Sequence, residues 1–140
     1  MKHLLRQEST QRTRKLNPKW GLFGFFGFLG FTGFLTYHID QTVFPFIFFS
    51  FFGFFGFYFE GKMSNTFMDE RFRENAQRAQ LYALKTGFSL VFLVMLSVGW
   101  GLFAKSPEHC AVYLLISLSL ICGLTMFLSE YLLYKYDHEE

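Results

Sequence analysis

The sequence predicts an all-α membrane protein with four transmembrane helices arranged as two hairpins, and a cytoplasmic amphipathic helix between spans two and three. Three observations carry this. The 140 residues include 22 phenylalanines and 12 glycines, with a charged fraction of only 17%. The charges stand in blocks: Asp40 is the one formal charge between Gly21 and Phe59, and none falls between Thr86 and Ala104. A bilayer needs about 20 apolar residues per helix, whereas a soluble core needs no such runs. Finally, the hexapeptide Phe-Gly-Phe-Phe-Gly-Phe occurs at residues 23–28 and again at 52–57, each copy inside an uncharged aromatic stretch.

Residues 1–19 form a basic segment, with Lys2, Arg6, Arg12, Arg14, Lys15 and Lys19 against Glu8. Its length, and the lack of a small-x-small site after the apolar run, argue against a removable signal peptide. Asn17-Pro18 marks the break before the first span, because a residue preceding proline disfavours helix. Residues 20–59 form a Phe/Gly-rich transmembrane hairpin, with spans at about Trp20–Tyr37 and Phe44–Phe59. Trp20 is placed as an interfacial anchor. The second span is short, roughly 24 Å as an α-helix, so it is expected to stand upright or to thin the bilayer.

Residues 60–86 are the cytoplasmic amphipathic segment, residues 87–134 a second transmembrane hairpin and residues 135–140 a cytoplasmic tail. Lys and Arg number six in the N-terminal segment, none in the first turn, five in the middle segment, one in the second turn (Lys105) and one in the tail (Lys135). The positive-inside rule then puts both termini and the middle segment in the cytoplasm. A β-barrel is excluded, since residues 43–59 offer no polar side chains to alternate with the apolar ones except Ser50 and Tyr58.

Gly21, Gly24, Gly27, Gly30 and Gly33 recur every third residue, as do Ser50, Gly53 and Gly56. On an α-helix each such step turns about 300°, so the row drifts around the axis. It still leaves smooth tracks for a neighbour's rings. Gly24, Gly27, Gly53 and Gly56 are therefore the expected packing residues, with the two hexapeptides facing each other across the first hairpin near the cytoplasm. Ser97 with Gly101 and Ser119 with Gly123 are small-xxx-small pairs expected to bring spans three and four together.

In the middle segment, Thr66 with Asp69 suggests a helix start resembling a capping box. Met68, Phe72, Ala76, Ala79 and Ala83 then recur at helical spacing. Asp69 with Arg73, and Glu74 with Arg78, are acid-first i, i+4 pairs on the other face. The helix runs towards the third span across Gly87.

The runs Asn17–Gly21, Phe57–Lys62 and Asp69–Phe72 with Asn75, together with the Phe/Gly hairpin, resemble an uncharacterised family of small Phe/Gly-rich membrane proteins from Firmicutes. The resemblance covers about residues 17–90 and implies a bacterial cytoplasmic membrane. It brings no known activity. It brings an association, since such proteins are often encoded beside small helix-turn-helix regulators.

Chemistry is thinly represented. His38 with Asp40, and Glu108 with His109, lie on the two outer turns and are the sets that might meet around a divalent metal; the plainer reading is two wet turns. Cys110 and Cys122 lie twelve residues apart in one apolar stretch and lack the spacing partners of a metal site; Cys122 has no histidine or basic group near it in its span, which argues against a reactive thiolate there. Glu130 falls at the inner interface, where it is expected to snorkel beside Lys135. There is no P-loop, dinucleotide, haem or zinc motif. No catalytic residue, metal or cofactor is expected.

The expected function is that of a non-enzymatic interaction or regulatory protein, binding a cytoplasmic partner through residues 60–80. Asp69, Glu70, Arg71, Phe72 and Asn75 are the expected contacts, a rim of charge around one aromatic anchor. The alternative for this segment is a structural helix docked on the inner face of a four-helix bundle. The alternative for the protein is a small oligomeric transporter, or a toxin- or bacteriocin-immunity protein, working through its spans and Glu130. The expected partners are the lipid bilayer, a cytoplasmic regulatory protein and further copies of the chain in a homo-oligomer, with no direct nucleic-acid contact.

Overall fold

The computed structural model describes residues 12–102 and 105–139. Lys2, Arg6, Glu8 and the expected end of the third span at Ala104 lie outside the described residues. Four helices make up the fold: helix 1 (Pro18–Asp40), helix 2 (Phe44–Lys62), helix 3 (Glu70–Gly99) and helix 4 (Pro107–Glu139). Each is long and apolar enough to cross a membrane. The described residues contain no β-strand, only an isolated bridge between Arg12 and Phe67.

Helices 1 and 2 depart from the expected α geometry. Pro18–Phe31 and Phe44–Phe55 are 3-10 helices, and only the ends Thr32–Asp40 and Gly56–Lys62 are α-helical. Runs of 3-10 helix longer than about four residues are uncommon, because side chains at i and i+3 eclipse one another. Here the eclipsing is put to use. Phe46, Phe49, Phe52 and Phe55 form one column with centroids 6.4, 6.2 and 6.3 Å apart and planes within 25° of parallel. Phe51, Phe54 and Phe57 form a second column at 5.1 and 5.3 Å. The spacings of the first column match a 3-10 turn, three residues at about 2 Å each.

With three residues per turn, the every-third glycines do not drift but form a straight strip. The rings of helix 2 fill it in strict antiparallel register. A Cβ on Gly24, Gly27, Gly30 or Gly33 would sit 2.5 to 2.7 Å from the ring of Phe55, Phe52, Phe49 or Phe46 respectively, and one on Gly21 would sit 2.6 Å from the Tyr58 Cβ. Phe25, Phe28, Phe31 and Phe34, the next column of helix 1, meet the same four rings edge-on at 79–88° and 5.0–5.2 Å. Such edge-to-face pairs contribute about 0.5–1.5 kcal/mol each beyond their area. Because glycine disfavours α-helix by about 1 kcal/mol per residue, the ordinary preference for α over 3-10 is weak along this strip.

The 3-10 geometry also lengthens the second span. Twelve 3-10 residues and seven α residues reach roughly 34 Å, enough for a hydrocarbon core of about 30 Å. A direct measurement follows. Spin labels replacing Trp20 and Leu29, both exposed on helix 1, in a chain with Cys110 and Cys122 changed to serine, are expected to have Cα atoms about 18 Å apart. An α-helix would place them about 13.5 Å apart, and that value would overturn the assignment.

The third face of helix 2 turns towards helix 4. A Cβ on Gly53 would lie 3.0 Å from the Gly123 carbonyl oxygen and the Met126 Cβ, and one on Gly56 would lie 3.2 Å from Glu130 Cγ. The glycines of the two hexapeptides thus serve different interfaces, Gly24 and Gly27 against helix 2 and Gly53 and Gly56 against helix 4. Helix 4 in turn packs on helix 3, where Thr125 fills the space over Gly87 and Ser97 Oγ shares a 2.7 Å hydrogen bond with the Tyr113 hydroxyl.

The order in space is 1-2-4-3, and among the described residues no other pair of helices approaches backbone to backbone. The helices therefore stand in a row. Two further expectations are corrected by the packing. Gly123 faces Ser50 and Gly53 of helix 2 instead of helix 3, and Gly101 lies beyond the end of helix 3 at φ +71° with nothing near it, so Ser97/Gly101 is not a packing pair.

Candidate functional site

Polar structure concentrates at the end of the row where helix 1 begins and helix 4 ends. Asn17 caps helix 1, its side-chain oxygen accepting from the Lys19 N–H at 3.0 Å, and Pro18 follows where its missing donor costs nothing. The residues just before it lie as a strap across the 63–69 connection between helices 2 and 3. The Thr13 N–H donates to the Thr66 carbonyl at 2.9 Å and the Thr66 N–H returns to Thr13 Oγ1 at 2.9 Å. Thr13 Oγ1 itself donates to the Met63 carbonyl at 2.7 Å, and the Leu16 N–H donates to Ser64 Oγ at 2.9 Å.

Arg12 closes the strap's outer end. Its guanidinium donates to Asn65 Oδ1 at 3.0 Å and lies 4.4 Å above the Phe67 ring. Asn65 takes a left-handed conformation, φ +64°, which asparagine tolerates better than most residues and which turns the connection back under the strap. Gly61 lies beneath Asn17 and Pro18 with no space for a side chain.

Helix 3 begins at Glu70, not near Thr66. Asp69 is its N-cap, its carboxylate accepting from the Phe72 N–H at 2.8 Å. The helix continues unbroken through Gly87 to Gly99, so the amphipathic segment and the apolar stretch after it are one continuous helix. Its buried stripe is Phe72, Asn75, Ala79, Ala83, Gly87 and Val94, all turned to helix 4. Phe72 is 6% exposed, and Asn75 is 5% exposed with its amide donating to the Tyr136 carbonyl at 3.4 Å. The Arg78 guanidinium lies 5.1 Å over the Tyr136 ring.

The five residues read from the sequence as partner contacts therefore divide. Asp69, Glu70 and Arg71 are exposed at the start of helix 3, whereas Phe72 and Asn75 are buried, the Asn75 amide on the Tyr136 carbonyl of helix 4. Phe72 acts as an internal anchor because it stands on the stripe that the helix buries. Sequence reasoning missed the strap altogether. Its only local signal is the turn cluster Ser64-Asn65-Thr66 after Gly61; its partners are some fifty residues away in the chain.

Other candidates come out as follows. Lys135 pairs with Glu139 at 3.7 Å, both well exposed, while the methylenes of Glu130 cover Gly56. Lys62 extends over the rings of Tyr58 and Tyr134 at 4.6 and 5.4 Å. His109 meets Ser106 through its ring Nδ1, and no three His, Cys, Asp or Glu side chains converge among the described residues. Comparison with protein families, curated proteins and solved structures finds no match to this chain.

Proposed function

We propose that the chain is a multi-pass protein of a bacterial cytoplasmic membrane, built as two hairpins with both termini and residues 60–86 on the cytoplasmic side. Its function on this reading is non-enzymatic: the cytoplasmic end binds a regulatory protein. Four apolar helices and the distribution of basic residues support the topology. So does the resemblance of residues 17–90 to the small Phe/Gly-rich membrane proteins of Firmicutes.

The observation that carries the partner reading is the exposed first turn of helix 3. Asp69, Glu70 and Arg71 follow the connection that the strap covers and start a helix that runs without a break to Gly99. Mixed charge on a rigid support suits specific recognition more than raw affinity. A partner seated there would be coupled mechanically to helices 3 and 4.

The test is crosslinking and affinity recovery from native membranes, comparing the natural chain with a Glu70→Ala, Arg71→Ala variant. Both side chains are exposed, so the variant keeps its fold. A soluble protein recovered with the natural chain and reduced at least about tenfold with the variant is the expected result. Equal recovery from both, or recovery of this chain alone as a defined oligomer, overturns the reading and favours the oligomeric transporter or immunity class.

A further inference from the structure

The opposite end of the row holds a cavity that the partner reading leaves unused. It lies between the last turn of helix 1, the connection from helix 3 to helix 4, and the first turns of helix 4. Tyr37, Leu102, Lys105, His109, Val112, Tyr113 and Ile116 line about 480 Å³. That volume falls within the range of small-molecule sites, roughly 300–1,000 Å³. The cavity opens to the surroundings, and its lining divides into two kinds.

Leu102, Val112 and Ile116 make an apolar wall. Lys105, His109 and the two tyrosines supply an ammonium, an imidazole and two hydroxyls, and among the described residues no carboxylate lines the cavity. Asp40 and Glu108 stand at the same end of the molecule but outside this lining. The polar groups are thus a cation and hydrogen-bond donors, without the anionic oxygens a metal or an amine would require. The Tyr113 hydroxyl is held by Ser97 Oγ at 2.7 Å, and the His109 ring is held through Nδ1 by Ser106, so both are positioned before any ligand arrives.

Lys105 is the one Lys or Arg at this end of the chain. A single cation among tyrosines beside an aliphatic wall matches a molecule with an anionic head and an apolar tail. We propose that this cavity binds an anionic phospholipid, its phosphate between Lys105 and His109 and its acyl chain along Leu102, Val112 and Ile116. The inference rests on the membrane reading given above, since a lipid reaches the cavity only if the helices are embedded.

The full chain, in neutral detergent, is titrated with phosphatidylglycerol, phosphatidylcholine and inorganic phosphate while bound adducts are counted by native mass spectrometry. The variants are Lys105→Gln with His109→Gln, which removes the head contacts, and Val112→Trp, which fills the cavity. The expected result is a phosphatidylglycerol adduct at least about tenfold more abundant than that of phosphatidylcholine, and lost to a similar degree in both variants. Equal binding of the two lipids, an adduct that survives both variants, or binding of inorganic phosphate as strong as that of the lipid overturns the proposal. Alkaline extraction of membranes separates the two levels. A chain washed into the supernatant sinks the membrane reading and the lipid site with it; a chain retained in the pellet without phosphatidylglycerol preference sinks the lipid site alone.

Discussion

Changing Gly24, Gly27 and Gly30 together to alanine is expected to part helix 1 from helix 2. Each new Cβ would stand 2.5 to 2.7 Å from the nearest atom of the Phe55, Phe52 or Phe49 ring. The rings cannot step aside, because each is stacked on its neighbours within helix 2 and held edge-on by Phe25, Phe28 or Phe31. Overpacking a tight site costs typically about 1–3 kcal/mol, and three such sites on one strip reach a sum comparable to the whole stability of a small domain, about 5–15 kcal/mol. The helices would have to move apart as rigid bodies, which abandons all four edge-to-face pairs at once. Thermal unfolding in detergent followed by circular dichroism is the measurement, with a large fall in midpoint expected. Gly99→Ala is the control: a Cβ there meets nothing within 4 Å, and helix propensity favours alanine, so its midpoint should hold or rise slightly. If the triple variant unfolds where the natural chain does, the glycine strip is not what holds helix 1.

The same strip shows how far residue order alone could be read. The period of three was visible in Gly21 to Gly33, and so was the pairing of small residues with rings. On an α-helix, however, that period has no straight face, and the alignment appears only once the helix itself has three residues per turn. Nothing local announces a 3-10 run of this length, because it is stabilised by the partner column in helix 2 and not by residues within helix 1. Gly53 and Gly56 illustrate the same limit. Their threefold face is displaced from the phenylalanine face of helix 2, so they were bound to meet a different neighbour, but only the row order 1-2-4-3 identifies it as helix 4. Phe72 was legible as a member of a helical stripe. Its burial follows from the stripe's match to helix 4, and an aromatic anchor for a partner looks identical to an aromatic anchor for the chain's own end.

Gly61 carries the second large effect. A Cβ there would lie 2.5 Å from Pro18 Cα, 2.6 Å from Pro18 N and 3.0 Å from the Asn17 carbonyl carbon. All three are backbone atoms, so no rotamer change relieves the clash, and a Gly61→Val side chain would lift the strap from the connection it covers. Released with it are the Thr13–Thr66 pair and the Leu16–Ser64 hydrogen bond, each contributing about 0.5–1.5 kcal/mol. The expected result is a rise of at least about tenfold in amide exchange at Thr13 and Leu16, with helices 3 and 4 as protected as before, since their packing on each other does not involve Gly61. Exchange unchanged at those two amides would mean that the strap is held by something other than the connection beneath it. Because the strap covers the connection that leads into Asp69–Arg71, the variant also bears on recognition. A partner that reads the exposed turn of helix 3 alone should bind it normally, whereas one that reads strap and turn together should be lost even though every charged contact is intact.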